Sequence, residues 1–194
     1  MLENLKNYKI VLASQSPRRQ ELLKMMNINF AVENIAGLEE NYPPGMPVAE
    51  IPIYLALQKQ SAYEHIWSLE NHLVITADTI VSLENTVLGK PSGRDGACEM
   101  LMMLSGKTHE VITGVSIKSN TKSIDFTDIT HVSFKELTNE MIEYYVDNFQ
   151  PYDKAGAYGI QEWIGLTSIR EIRGSYFNVM GLPVDRLYEE LLKF

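Results

Sequence analysis

Two arginines follow a pair of serines at the point where the chain changes from an apolar run to a helical pattern. Ser16 suits the N-cap and Pro17 the first helical position, which places Arg18 and Arg19 in the first turn. The amino end of a helix already carries positive partial charge, so these cations oppose the local electrostatics. Two guanidinium groups beside free backbone N–H groups, with the Ser14 hydroxyl nearby, favour an anion site, most naturally for a phosphate chain. The alternative is that both arginines are solvated or paired with neighbouring acids.

An aspartate lies inside a segment that should be a buried strand. Residues 73–83 are apolar and rich in β-branched side chains, with Asp78 near the centre, and residues 84–86 predict the turn of a hairpin. A carboxylate in such a strand is costly unless it is ion-paired, hydrogen-bonded or bound to a metal. Counting back from the turn places Lys90 within a residue or two of the position opposite Asp78. We favour a functional role over a purely structural pair, because replacing buried ion pairs with apolar residues is often neutral or stabilising.

Other charged residues carry no clear signal in their spacing. Lys59 falls within residues 52–67, which have the apolar spacing of a helix. Glu39 and Glu40 lie in residues 28–46, a stretch that predicts a short strand followed by a loop rich in turn formers. From the pattern alone, all three are best interpreted as solvated surface charges.

A second polar segment lies in the last third of the chain. Two glycines interrupt the otherwise packed residues 152–161, which indicates a shaped loop held close to something. Asp153, Lys154 and Gln161 in this loop could read a nucleobase or hold a phosphate. Another polar turn that contains a glycine follows at residues 173–178.

Composition predicts a soluble globular protein, and the order of its elements predicts the fold class. The 194 residues are enough for one domain, or for two small lobes that share a cleft, and a net charge of −8 disfavours general binding to nucleic acid or anionic membrane. One cysteine, Cys98, leaves no internal disulfide, and the absence of a signal peptide or bilayer-length apolar run favours the cytoplasm. Helical and strand patterns interleave, which predicts an α/β or α+β domain with a mixed sheet; further helices are predicted at 92–104, 138–149 and 183–192, and strands at 111–118 and 124–134.

The charged residues together predict a reaction class. Neither the P-loop signature nor G-x-G-x-x-G is present, so a phosphate site must be built from the Ser-x-Ser-Pro-Arg-Arg turn and scattered lysines. Several cations suit a polyanionic substrate, whereas carboxylates among them would repel phosphate unless a divalent metal bridges them or they activate water. This combination predicts metal-assisted hydrolysis of a phosphoanhydride, without selecting the bond that breaks or the base.

The chain resembles the Maf family of nucleoside triphosphate pyrophosphatases, which was named for a link to septum formation. Matching segments occur in family order over nearly the whole chain: Ala13-Ser14-Gln15-Ser16-Pro17-Arg18-Arg19, Ala77-Asp78-Thr79-Ile80-Val81, Gly89-Lys90-Pro91, Leu104-Ser105-Gly106-Lys107-Thr108-His109, Asp153-Lys154-Ala155-Gly156-Ala157-Tyr158-Gly159-Ile160-Gln161, Gly174-Ser175-Tyr176, and Asn178 with Gly181-Leu182-Pro183. The resemblance implies one elongated α/β domain over residues 1–194, with a mixed sheet and two lobes around a deep cleft, as in the inosine triphosphatase fold.

The resemblance also implies an activity and its residues. The family cleaves nucleoside triphosphates between the α and β phosphates with a divalent cation, for which Mg²⁺ is expected and Mn²⁺ or Co²⁺ are alternatives. Asp78 carries over as general base, and Lys59, Lys90 and Glu40 as further catalytic residues, with Asp78 and Glu40 as metal ligands. The resemblance assigns substrate binding to Ser14, Arg18, Arg19, Thr79 and Gln161, and the last two, with Arg18, are typical of the branch that clears dTTP, UTP and modified pyrimidine nucleotides.

Two other functions are alternatives to this activity. A non-enzymatic nucleotide sensor could bind the same ligand and regulate cell division, but simple phosphate binding does not need a buried aspartate. A DNA-contacting role for Ser16-Pro17-Arg18-Arg19 conflicts with the net charge. We therefore expect a nucleoside triphosphate as partner and neither nucleic acid nor membrane, with a homodimer left open.

Overall fold

The computed structural model describes residues 2–34 and 40–194 of the chain, so that Glu39 lies outside the described residues. Helices and strands interleave along the sequence. The strands are β1 (Lys9–Leu12), β2 (Phe30–Val32), β3 (His72–Leu83), β4 (Thr86–Leu88), β5 (Thr108–Lys118), β6 (Ser123–Phe134) and β7 (Ile169–Arg173). The helices are α1 (Pro17–Met25), α2 (Ile51–Ala62), α3 (Glu64–Trp67), α4 (Gly93–Leu104), α5 (Asn139–Phe149), α6 (Trp163–Ser168), α7 (Tyr176–Met180) and α8 (Val184–Leu191).

Within the described residues the strands form one mixed sheet of seven strands. The order is β2-β1-β3-β5-β6-β7, and β4 pairs with β3 outside this path. Strand β1 is parallel to both β2 and β3, whereas the β3–β4 and β6–β7 pairs are antiparallel. Strand β3 is buried along almost its whole length, as expected of a strand with neighbours on both sides. The prediction of an α/β protein with a mixed sheet is confirmed.

The chain divides into two compact units, each built from segments that are not consecutive in the sequence. The first unit contains Met1–Asp78, Thr113–Asp128 and Gly181–Phe194, and the second contains Thr79–Ile112 and Ile129–Met180. Strands β3, β5 and β6 therefore each contribute residues to both units. The single domain over residues 1–194 stays a prediction.

Each unit has its own apolar core. In the first unit, a cluster around Val11, Tyr63 and Val74 packs against Trp67, and the Lys118 ammonium lies 3.8 Å from the centre of that indole ring. In the second unit, α4 and α5 bury a larger cluster, in which Phe134 and Tyr145 are completely buried. Among the described residues, no helix combines the length and apolarity that a bilayer crossing requires.

Local signals predicted where α2 and α5 begin. Helix α5 begins after Thr138, whose hydroxyl accepts a hydrogen bond from the Met141 N–H, and α2 begins at Ile51 with Pro52 in its first turn, as predicted. The single helix predicted over 52–67 is wrong, because the chain breaks at Tyr63 into α2 and α3. The side chain of Tyr63 is buried and its hydroxyl donates to the Glu33 carbonyl at 3.1 Å, so tertiary packing interrupts the helical pattern.

Candidate active site

The turn between β1 and α1 has the predicted form. Strand β1 ends at Leu12, and the Ser16 hydroxyl caps α1 by accepting a hydrogen bond from the Arg19 N–H at 3.4 Å. The Ser14 hydroxyl accepts from the Ser16 N–H at 3.2 Å. Both serines therefore fix the backbone of the turn, and Arg18 and Arg19 occupy the first turn of α1, where no acidic residue accompanies them.

Arg19 joins three segments of the first unit. Its Nη1 donates to the Ala77 carbonyl at 2.9 Å and to the Ser14 hydroxyl at 3.4 Å, while its Nε donates to the Gly181 carbonyl at 2.8 Å. Burial lowers the pKa of the Arg19 guanidinium from its ordinary value, while the negative charge of Asp78 acts in the opposite direction. Arg19 thus holds the serine turn beside the middle of the buried strand that carries Asp78, in addition to supplying charge.

Asp78 belongs to a largely buried charge cluster. Its carboxylate accepts a hydrogen bond from the Lys59 ammonium at 2.7 Å, and the same ammonium lies 2.9 Å from Glu40 Oε1. The side chains of Lys59 and Asp78 are 14% and 12% exposed, whereas that of Glu40 is 52% exposed. Lys59 is therefore a buried ion-pair partner and not the solvated charge that its spacing indicated, while Glu40 closes the cluster from the solvent side.

Two residues outside the predicted set place Lys59 against Asp78. The buried Thr76 hydroxyl, two residues before Asp78 on the same face of β3, donates to the Ala56 carbonyl of α2 at 2.8 Å and lies 2.9 Å from Gln60 Oε1. Gly114 of β5 lets the start of α2 approach closely, because a Cβ there would lie only 2.2 Å from the Ile53 nitrogen. The position of Lys59 is therefore set by the docking of α2 on the sheet.

The second unit contains Thr79, Lys90 and Gln161. The β3–β4 ladder pairs Val81 with Leu88 and ends there, so Lys90 lies two residues beyond the last paired position and is exposed. The observed ion-pair partner of Asp78 is Lys59, and the role of Lys90 stays a prediction. Thr79 is half-buried directly after Asp78, and Gln161 is exposed in the turn before α6.

The loop that contains Gln161 is internally bonded. Lys154 is 9% exposed, and its ammonium lies 2.8 Å from Asp153 Oδ1 and 3.1 Å from Glu162 Oε1. Tyr158 is also buried, with its hydroxyl 2.7 Å from His109 Nε2, and burial lowers the pKa of His109 to about 4. The Lys154 ammonium thus forms ion pairs with two carboxylates of the loop, so Lys154 stabilises the loop.

Two carboxylates could hold a divalent metal. Asp78 and Glu40 converge on one cation position, which the Lys59 ammonium occupies, and their oxygen atoms are the hard ligands that Mg²⁺ prefers. Among the described residues no group of three or more His, Cys, Asp or Glu side chains could hold a metal ion. Mg²⁺ is commonly bound by one or two carboxylates together with substrate phosphates and water, so this pair fits such an ion.

The sequence patterns did not predict the three residues that position Lys59, which are Thr76, Gln60 and Gly114. Thr76 and Gln60 are polar positions inside a buried strand and on the buried face of a helix, and such positions usually have a specific hydrogen-bond partner. A glycine inside a strand, as at Gly114, often marks a close backbone approach. These signals were available, but the partner in each case is distant in sequence.

The comparisons with known proteins identify the family. A family model described as Maf-like protein matches residues 9–194. Curated relatives named dTTP/UTP pyrophosphatase are 53% identical in Phocaeicola vulgatus and 50% identical in Bacteroides thetaiotaomicron, in both cases over 193 residues that cover 100% of each chain. A relative of the same name in Flavobacterium johnsoniae is 48% identical over 97% of this chain and 96% of its own.

A solved structure supports the architecture. The structure of a HAM1 protein from Coxiella burnetii matches with a TM-score of 0.51 at 11% identity, over 96% of this chain and 100% of that chain. At this identity the likeness concerns the fold alone, and it agrees with the predicted inosine triphosphatase-like architecture. From the family match and the full-length relatives together, the chain belongs to the Maf family.

Proposed function

We propose that this protein hydrolyses dTTP and UTP to the nucleoside monophosphate and pyrophosphate. The observation that carries the proposal is the full-length similarity, near 50% identity, to relatives named dTTP/UTP pyrophosphatase. The charge cluster supports it, because a buried carboxylate beside the Lys59 ammonium suits water activation beside a polyphosphate.

In the proposed reaction, a water oxygen attacks the α phosphorus while the bond to the bridging α–β oxygen breaks. Asp78 accepts the proton of the attacking water, and pyrophosphate leaves with the electron pair of the broken bond. Lys59 binds Asp78 Oδ1, so we assign proton transfer to Oδ2 and a holding role to Lys59. The guanidinium group of Arg18, with the ammonium group of Lys90, stabilises the negative charge of the phosphate chain.

A divalent metal would be held by Asp78 and Glu40. When bound, it would polarise a phosphoryl oxygen and offset negative charge on the leaving group. We propose Mg²⁺ as this ion, with Mn²⁺ and Co²⁺ as replacements to be compared. The carboxylate of Glu40 is half-exposed, so of the two carboxylates it can move from Lys59 to a metal ion with the smaller loss of packing.

The bond that breaks can be identified by isotope. We would incubate the protein with UTP and Mg²⁺ in H₂¹⁸O and analyse the products by mass spectrometry and ³¹P NMR. We expect UMP and pyrophosphate, with the ¹⁸O in UMP. Label in pyrophosphate would place the attack on the β phosphorus, and UDP with orthophosphate would overturn the proposal.

The same experiment separates the enzyme from a nucleotide sensor. A sensor would bind UTP tightly, and the nucleotide would remain intact with Mg²⁺, Mn²⁺ or Co²⁺. Repeating the assay with dTTP, CTP, purine triphosphates and modified pyrimidine triphosphates would then rank the substrates. We place the reaction in the cytoplasm, where a single cysteine is compatible with a reducing environment.

A further inference from the structure

The loop before α6 is closed by an internal ion pair. Lys154 stands near its start and Glu162 at its end, and the two charged groups are 3.1 Å apart. Asp153 also contacts the Lys154 ammonium, at 2.8 Å. The Lys154 residue is only 9% exposed, so this ion pair is shielded from the solvent screening that weakens surface pairs.

A tyrosine from α5 fastens the same loop at two points. Tyr145 is completely buried, and its hydroxyl donates to Glu162 Oε2 while it accepts a hydrogen bond from the Gly159 N–H at 3.0 Å. Burial raises the pKa of Tyr145, and the bond to Glu162 acts in the same direction, so the hydroxyl remains a donor. A side chain at Gly159 would collide with Glu162, since its Cβ would lie 2.7 Å from Glu162 Cδ.

Gln161 lies between the fastened positions. Gly159 accepts a hydrogen bond from the Glu162 N–H at 3.0 Å, which closes the turn, and Ile160 is buried at 4% exposure. The backbone is therefore held on both sides of Gln161, while the Gln161 side chain is exposed. Fixing a polar residue before its ligand arrives lowers the ordering cost of binding.

We propose that Lys154, Glu162 and Tyr145 form a clasp that positions Gln161 to read the pyrimidine base. This inference rests on the proposed function, and it makes the three clasp residues positioning residues for specificity. A carboxamide presents one donor and one acceptor, which match the N3–H and O4 of uracil or thymine. Cytosine presents the opposite pattern at these positions, so a carboxamide that can rotate by 180° would bind either base. Because the clasp holds the backbone from which the Gln161 side chain extends, we expect it to favour one orientation of the carboxamide, and thereby uracil over cytosine.

The test is a double-mutant cycle on base discrimination. We would measure kcat/KM for UTP and CTP in the wild type, in Tyr145→Phe, in Gln161→Ala and in the double variant, with Tyr144→Phe as a matched control from the same helix, since Tyr144 is 50% exposed. We expect Tyr145→Phe to lower the UTP:CTP ratio about tenfold, mainly through the KM for UTP, and Tyr144→Phe to leave it unchanged. In the Gln161→Ala background, Tyr145→Phe should have no further effect on the ratio.

Two results would overturn the clasp. One is an equal loss for UTP and CTP in Tyr145→Phe, and the other is an additive loss in the double variant. Glu162→Gln, which keeps the shape of the side chain, provides a second perturbation if Tyr145→Phe folds poorly. Faster hydrogen exchange at the Gly159 amide in these variants is expected, and unchanged exchange would refute the fastening itself.

A failure of the proposed function would be distinguishable from a failure of the clasp. If the wild type does not cleave UTP, the dissociation constants of the α,β-methylene analogues of UTP and CTP replace the kinetic ratio. The clasp then requires that Tyr145→Phe lower the ratio of these affinities by about the same tenfold factor. An unchanged affinity ratio would reject it.

Discussion

Removing the charge of Lys59 is the sharpest test of the buried cluster. At 2.7 Å and an effective dielectric constant of about 20, the attraction between Lys59 and Asp78 is about 6 kcal/mol before the desolvation of both groups is subtracted. Loss of one partner from a buried ion pair typically lowers the free energy of unfolding by about 3–5 kcal/mol, because the remaining charge is left without compensation. Glu40 is half-exposed and adds little, so we expect Lys59→Met to lower the free energy of unfolding by about 3 kcal/mol. For a chain of this size that lowers Tm by about 6–12 °C.

Urea unfolding at neutral pH would measure this loss. In the double variant Lys59→Met/Asp78→Asn the uncompensated charge is gone, so most of the lost stability should return although activity does not. Arg94→Met is a matched control, because Arg94 forms an exposed ion pair with Asp147 at 2.7 Å and should leave the midpoint close to that of the wild type. Wild-type stability in Lys59→Met, or no recovery in the double variant, would refute the assignment of Lys59 as the charge partner of Asp78.

Three further predictions concern catalysis, packing and pH. Asp78→Asn should fold and lose a factor of about 10²–10⁴ in kcat for UTP, measured as pyrophosphate release; near-normal turnover would remove Asp78 as base. Gly114→Ala should destabilise the protein by about 1–3 kcal/mol in urea and reduce activity, since its Cβ would meet Ile53 and displace α2, whereas Gly89→Ala has open space and should not destabilise. In the folded protein His109 stays neutral down to about pH 4, whereas in the unfolded chain it protonates near pH 6.5. The free energy of unfolding should therefore decrease as the pH is lowered from about 6.5 to about 4, by up to about 1.4 kcal/mol per pH unit. His109→Gln should remove this part of the pH dependence, and an unchanged dependence would contradict the assignment.

The strand-turn-helix at the start of the chain could be predicted because its signals are local. Ser16 and Pro17 mark the beginning of α1 by chemistry that acts within one turn, and the observed helix begins at Pro17. The run 73–83 likewise identified β3, whose observed bounds are His72–Leu83. The mixed sheet followed from the order of such elements.

The partners within the site could not be predicted from spacing. Lys59 and Asp78 are 19 residues apart on a helix and a strand, and their contact depends on how α2 docks on the sheet. Arg19 binds the backbone carbonyls of Ala77 and Gly181, and a carbonyl acceptor leaves no trace in the sequence. Family resemblance pointed to Lys59 and Glu40, but it did not reveal which charges meet.

The short elements after Gln161 were missed for a different reason. Helix α6 has six residues and β7 has five, so both are too short for a repeated apolar pattern to identify them. Residues 173–178 were predicted as a polar turn, yet α7 begins at Tyr176. These elements form because they pack against the larger core of the second unit.

The hydrogen bond from Arg19 to Gly181 has a consequence for biosynthesis. The two residues are 162 positions apart, so the guanidinium cannot reach this carbonyl until the ribosome has added Gly181. At about 5–20 residues per second, that interval lasts about 10–30 s. During translation the serine turn therefore lacks one of its fixed supports, and a nascent chain should gain full nucleotide affinity only after Gly181 has emerged from the ribosome.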